Sequence, residues 1–156
     1  MDLSNCLPFD IHSSIFIRWS NESLENIFFK LLILPSLTTP YGGGCYQFDM
    51  YIPDNYPNTS PQMKFLTTGN GKVRFNPNLY NNGKICLSLL GTWTGEKWDS
   101  NISNIYQLYV SILGLIFVEE PHFNEPGYQK RQRNATRYRK KYIMNILDYI
   151  IYNMLS

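Results

Sequence analysis

The sequence predicts an α+β domain: an antiparallel four-stranded meander, then a long loop, then C-terminal helices. Three observations carry this. Short β-type runs, separated by Pro- and Gly-rich turns, crowd the first 66 residues. From Thr67 to Ser100 no periodicity is left. After Ser103, apolar residues recur at helical spacing. Strands first and helices after is the order of an α+β chain, not of alternating βαβ units.

Each element has its own signal. Residues 1–13 are polar, include Pro8 and read as an N-terminal tail, so the domain proper is 14–156. Ile15, Phe16, Ile17 and Trp19 suit a short strand. The apolar run from Asn26 to Leu34 is closed by Pro35 and is too short for a buried helix, so it reads as a second strand. Pro40-Tyr41-Gly42-Gly43-Gly44 is a turn. From Cys45 to Ile52 the chain alternates, with Tyr46, Phe48, Met50 and Ile52 on one face and Cys45, Gln47, Asp49 and Tyr51 on the other. Pro53 to Asn58 punctuates again, and Gln62 to Leu66 is a fourth strand. Consecutive strands joined by tight turns pair antiparallel. Ser103 reads as a helix N-cap. Ile105, Leu108, Tyr109, Ile112, Leu115 and Ile116 then form a buried stripe that ends before Pro121. A loop from Glu119 to Gly127 leads into a basic amphipathic segment, where Tyr138, Tyr142, Ile146, Ile150 and Met154 recur at i, i+4.

Composition narrows the function classes. With 156 residues, 44% of them hydrophobic, the chain is one domain able to bury a core, and a disordered chain is excluded. Net charge is +2, but Lys130, Arg131, Arg133, Arg137, Arg139, Lys140 and Lys141 hold half of the 14 bases within twelve residues that contain no acid. The other seven bases face 12 acids, so the rest of the chain sums to −5. Cys6, Cys45 and Cys86 cannot all pair, no two have metal-motif spacing, and there are only 2 His, which argues against a zinc site and a disulfide scaffold. No apolar stretch reaches the roughly 18 residues of a spanning helix. The acidic start, interrupted by Pro8, does not read as a signal peptide. A reducing compartment is expected, the cytoplasm with the nucleus open.

The informative stretch is RFNPNLYNNGKICLSLLGTW, residues 74–93. Asn76-Pro77-Asn78 lies just ahead of a lone Cys86, and the turn Asn81-Asn82-Gly83 brings the chain back. The Asn78 side chain could thus face the Cys86 thiol. A thiol attacking a carbonyl needs a donor for the tetrahedral oxyanion, and a side-chain amide supplies one.

This pattern resembles the ubiquitin-conjugating enzymes, whose signature is His-Pro-Asn followed by a cysteine at this spacing. Pro40-Tyr41 with Gly43-Gly44, Tyr56-Pro57, Pro61, Asn76-Pro77-Asn78, Gly83, Cys86-Leu87, Trp98 and Pro121 come in family order, over about residues 20–155. Within the family the phrases VRFNPNLYNNGK, GTW and EPHFNEPGY look like the large members, the giant inhibitor-of-apoptosis conjugating enzyme and the hybrid conjugating-enzyme/ligases. The resemblance implies a UBC-like fold and a thioester on Cys86. Ubiquitin would arrive from an activating enzyme and leave to a substrate lysine. It implies no metal and no organic cofactor, because ATP is spent by the activating enzyme. Four departures stand out. Asn76 replaces the signature His, the loop from Cys86 to Trp98 is enlarged, and the family's N-terminal helix is reduced or absent. Asn58, Asp99, Ser100 and Asn101 are polar where separate ligases usually dock, which favours a built-in ligase function. A non-catalytic ubiquitin-binding module, a conjugating enzyme for a ubiquitin-like modifier, and a cysteine hydrolase are the other readings.

Single residues are weighed against plainer roles. A free Cys is usually a small buried apolar residue; its motif makes Cys86 the catalytic nucleophile, whereas Cys6 and Cys45 have no such context. An ordinary thiol is a few per cent thiolate at neutral pH, enough for thioester exchange and poor for cleaving unactivated amides. Asn78 is either an oxyanion donor or a turn residue, and Asn76 a structural hydrogen-bonding residue. The resemblance sets Glu125 across the cleft, where a carboxylate can orient the substrate ammonium and help remove its proton; the alternative is a surface acid. Glu119 and Glu120 are weaker candidates, and His122 reads as a surface-loop residue. Trp93 and Trp98 read as packing the long loop onto the body, the alternative being a ubiquitin-facing wall near the thioester. The run 130–141 reads as a solvated helix face, the alternatives being nucleic acid, an anionic membrane or an acidic protein partner. Nucleic acid is not expected, because Tyr138 and Tyr142 belong to the core stripe, and neither is membrane insertion.

Overall fold

The computed structural model describes residues 14–20, 27–124 and, in helical conformation, 140, 141, 143, 144 and 147. Strands β1 (Ser14–Ser20), β2 (Ile27–Leu34), β3 (Tyr46–Ile52) and β4 (Gln62–Phe65) form one antiparallel sheet in chain order. The tail 1–13, Glu125 and all of the basic run except Lys140 and Lys141 lie outside the described residues.

The alternation in β3 decides which face of the sheet is covered. Tyr46, Phe48, Met50 and Ile52 are all buried, while Gln47, Asp49 and Tyr51 face outward. The register places Leu31 opposite Phe48 and Ile33 opposite Tyr46, so β2 turns its own apolar residues to the same side. Phe65 joins them across from Phe48. Aromatic rings fill the space above: Phe117 packs on Tyr46 and Tyr41 with centroids 4.9 and 5.2 Å apart, and Phe75 stands edge-on to Tyr46 at 5.7 Å. On the outer face Phe28 packs beside Tyr51, and Lys30 pairs with Asp49 at 3.3 Å.

Among the described residues the layer over the sheet is mostly loop. Between β4 and the helix the chain forms two isolated bridges, Asn76 with Leu79 and Leu79 with Ile85, and a short 3₁₀ turn at Ser88–Leu90. Phe75, Leu79, Ile85 and Leu87 are its buried anchors. Helix α1 (Ile105–Ser111) follows. Its N-cap is Asn104, not Ser103: the Asn104 side chain accepts from the Gln107 N–H and the Gln107 side chain accepts from the Asn104 N–H. This reciprocal capping box satisfies two donors at once, and Ser103 instead accepts from the Asp99 N–H. The helix widens into a π-helical turn at Ile112–Ile116. That turn carries Ile116 and Phe117 inward and leaves Leu115, expected on the buried stripe, 55% exposed. The Leu115 carbonyl accepts from the Asn124 side chain.

Candidate active site

The site is built on Asn76, which is fully buried. Its Nδ2 donates to the Tyr41 hydroxyl and to the Ile116 carbonyl, each at 2.7 Å. Its Oδ1 accepts from the Asn78 N–H at 2.7 Å. One amide thereby ties the 40–44 turn, the end of the π-helical turn and the loop together. Tyr41 in turn donates to the Phe75 carbonyl at 3.2 Å. The expectation of a structural role for Asn76 holds.

From this anchor a narrow hairpin runs out and back. The Tyr80 N–H donates to the Lys84 carbonyl and the Gly83 N–H to the Tyr80 carbonyl, at 2.9 and 3.0 Å. Gly83 has φ +90, and a Cβ there would sit 2.9 Å from the Phe65 carbonyl oxygen, so the tip can lie on β4 only without a side chain.

Cys86 stands at the foot of the hairpin, facing Asn78. Its N–H donates to the Asn78 carbonyl at 2.8 Å, and its carbonyl accepts from Asn78 Nδ2 at 2.9 Å. Asn78 thus holds both peptide groups of Cys86. The amide is engaged by the cysteine's carbonyl, and Oδ1 is buried with no hydrogen-bond donor among the described residues. Cys86 itself is only 2% exposed. Beyond it, the Thr92 hydroxyl accepts from the Leu87 N–H at 3.0 Å and lies 2.6 Å from the Ile85 carbonyl. Thr92 closes the chain around the cysteine, a role its place in the sequence did not announce.

The other candidates divide. Trp98 Nε1 donates to the Pro57 carbonyl at 2.6 Å and its ring packs on Tyr56, so it fastens the enlarged loop to the 53–60 turn. Trp93 is half-buried. Cys45 is exposed. Glu119 and Glu120 are exposed, but His122 is 2% exposed against Phe123, which corrects the surface-loop reading. Pro121 begins a 3₁₀ turn, and that turn directs the imidazole inward. Glu125 lies outside the described residues, so the structure does not bring it to Cys86 or away from it.

A groove of about 620 Å³ opens beside the site, between the loop after Cys86 and α1. Ser88, Leu89, Lys97, Tyr106, Val110 and Leu115 are among its lining residues. Among the described residues no group of three or more His, Cys, Asp or Glu is placed to hold a metal, and no helix is long and apolar enough to cross a membrane.

Comparison with known proteins adds the following. The family profile described as ubiquitin-conjugating enzyme matches residues 9–150. The chain is 46% identical over 149 residues to the dual ubiquitin-conjugating enzyme/ubiquitin-protein ligase BIRC6 of Homo sapiens, covering 92% of this chain and 3% of that one. It is 45% identical over 163 residues to a probable ubiquitin-conjugating enzyme, protein 17, of Caenorhabditis elegans, covering 99% of this chain and 22% of that one. It therefore spans a small part of the length of these relatives. A ubiquitin-conjugating enzyme structure from Plasmodium falciparum superposes with a TM-score of 0.53 at 26% identity, over 70% of this chain and 85% of that one.

Proposed function

The chain belongs to the ubiquitin-conjugating enzyme family, and on that premise we propose that Cys86 accepts ubiquitin as a thioester and passes it to a substrate lysine. In loading, the Cys86 thiolate attacks the carbonyl carbon of the ubiquitin thioester on the activating enzyme. A new C–S bond forms, the old one breaks, and the activating enzyme's sulfur leaves as a thiolate. In discharge, a neutral lysine amine attacks, a C–N bond forms, and Cys86 leaves as a thiolate while the amine's proton passes to a base. The groove beside Ser88 suits the extended chain that ends in the thioester.

The observation that carries this reading is the double clamp of Asn78 on the two peptide groups of Cys86. It fixes the cysteine's backbone and holds an amide donor beside it. Moving Nδ2 from the neutral Cys86 carbonyl to a developing oxyanion exchanges one acceptor for a more negative one. Such a donor lowers the barrier rather than only binding the ground state. Glu125 is the proposed carboxylate that orients the incoming ammonium. The polar residues Asn58, Asp99, Ser100 and Asn101 support transfer without a conventional docked ligase, by a built-in ligase function. A reducing compartment, cytoplasm or nucleus, would keep Cys86 and Cys45 as thiols.

A second reading has one observation in its favour. The near-complete burial of Cys86 suits a non-catalytic ubiquitin-binding module, because an incoming thioester must displace part of the cover. Incubation with activating enzyme, ATP and ubiquitin decides between them. A reductant-sensitive adduct lost in Cys86→Ala supports the enzyme, and no adduct in the parent chain supports the module.

A further inference from the structure

From residue 55 to residue 95 the chain contains no acid and four bases: Lys64, Lys72, Arg74 and Lys84. All four are exposed. Outside the run 130–141 the chain sums to −5 even with these four bases counted, so one-sided a stretch invites an explanation, and the fold gathers it into one surface. The Arg74 guanidinium lies over the Tyr80 ring at 4.1 Å and is oriented there by a bond to the Pro77 carbonyl at 2.6 Å. Lys84 approaches the same ring, at 5.8 Å. The Lys64 stem lies over Gly83, the residue before Lys84: its Cγ and Cε are 3.0 and 3.1 Å from where a Gly83 Cβ would stand. The turn that carries Lys72 is tied to the hairpin tip by the Asn81 side chain, which donates to the Gly71 carbonyl at 2.7 Å. The four cations therefore ring the tip of the hairpin whose foot is Cys86.

The hairpin bounds how far Lys84 lies from the thiol. Tyr80 and Lys84 pair across the hairpin, and Lys84 is two residues from Cys86, about 7 Å along an extended chain. Asp49 lies opposite Lys64 in the sheet register, but its carboxylate is engaged by Lys30. Lys64 and Lys84 have no acidic partner within ion-pair distance among the described residues.

We propose that Lys64, Lys72, Arg74 and Lys84 form a recognition surface for acidic side chains of the substrate protein, next to the acceptor lysine. The proposal rests on the reading of Cys86 as the thioester carrier and names the class of substrate it serves. With the lysine amine at Cys86, an extended substrate chain of about 3.3 Å per residue brings positions roughly two to five residues away onto the cations. Exposed ion pairs are individually weak and are screened by salt. The surface therefore acts by selecting among lysines, and its contribution fades as ionic strength rises.

The test uses the charged chain and two synthetic peptides, one with a single lysine followed by glutamates and one with glutamines in their place. Discharge from purified thioester should be about tenfold faster to the glutamate peptide at low salt, and the preference should collapse at high salt. Lys64→Glu/Lys84→Glu should abolish the preference while loading and discharge to free lysine stay as in the parent. The milder Lys64→Gln/Lys84→Gln should reduce it if charge reversal disturbs the fold. Fluorescence anisotropy of the same peptides on the uncharged chain measures the surface without the chemistry, so a chain that fails to load still tests it. Equal binding of both peptides overturns the proposal, as does a preference that survives the substitutions. Binding of anionic vesicles or single-stranded DNA without the glutamate peptide assigns the surface to another partner and also overturns it.

Discussion

Asn76→Ala removes the side chain on which the site is assembled, and its effect can be worked from three bonds. The Tyr41 hydroxyl loses a donor but keeps its own bond to the Phe75 carbonyl. The Ile116 carbonyl and the Asn78 N–H lose the partners they had at 2.7 Å. All lie where the chain is buried, so water replaces the amide poorly. A net hydrogen bond is worth about 1 kcal/mol and a stranded buried group costs about 1–3 kcal/mol, so the loss should be about 3–4 kcal/mol. That is a large share of the roughly 5–15 kcal/mol that holds a domain together. For a chain of this size it is on the order of 10 °C in Tm. Urea unfolding followed by tryptophan fluorescence measures it, since Trp98 reports the loop docked on Pro57. Asn76→His checks the count independently. Asn76 uses two donors and one acceptor, whereas a neutral imidazole has one of each. One of the three bonds must be lost, at a cost of about 1 kcal/mol, or up to about 3 kcal/mol where it strands the Ile116 carbonyl or the Asn78 N–H. A loss under about 1 kcal/mol for Asn76→Ala would refute the reasoning, because the three bonds would then contribute almost nothing net.

The remaining predictions concern chemistry, the hairpin and pH. Asn78→Ala should leave loading largely intact and slow discharge to lysine by roughly a hundredfold, the usual worth of one oxyanion donor. Glu125→Gln should slow discharge less, and the penalty should shrink as pH approaches the lysine range, where solvent removes the proton; single-turnover discharge across pH separates the two. Gly83→Ala forces a side chain into a backbone at φ +90 and against the Phe65 carbonyl, and should destabilise by about 2 kcal/mol or more, read as a lower urea midpoint. Burial pushes the phenols of Tyr46 and Tyr109 above the ordinary value of 10.0. Their folded-state pKa values are raised, so stability is full below that value and falls as pH rises past it, when the unfolded chain ionises first. Thermal melts should be flat in this respect at neutral pH and drop in strong alkali; constant stability through that window would contradict their burial.

The sheet was legible because β3 alternates without a break, and its buried set was Tyr46, Phe48, Met50 and Ile52 as the sequence required. The helix start was displaced by one residue because Ser103 and Asn104 are both good caps. Gln107, three residues after Asn104, breaks the tie. The π-helical turn has no sequence signature, so Leu115 was assigned to the wrong face. The nearness of Asn78 and Cys86 followed from a turn between them. What the Asn78 amide bonds to did not, since a pattern shows that two residues meet but not which of four polar atoms pair. Asn76 reaches partners 35 and 40 residues away, and no local spacing encodes contacts of that range. His122 is buried by its 3₁₀ turn, although its place in the loop from Glu119 to Gly127 read as surface.

The most direct test of the central claim is the covalent adduct on Cys86. The chain is incubated with activating enzyme, ATP and ubiquitin, and resolved on a non-reducing gel with mapping by mass spectrometry. The parent chain and Cys45→Ala should both form an adduct that reductant removes. Cys86→Ala should form none, and Cys86→Ser should give a slower adduct that resists reductant, because an ester replaces the thioester. An adduct that persists in Cys86→Ala and disappears in Cys45→Ala would contradict the account.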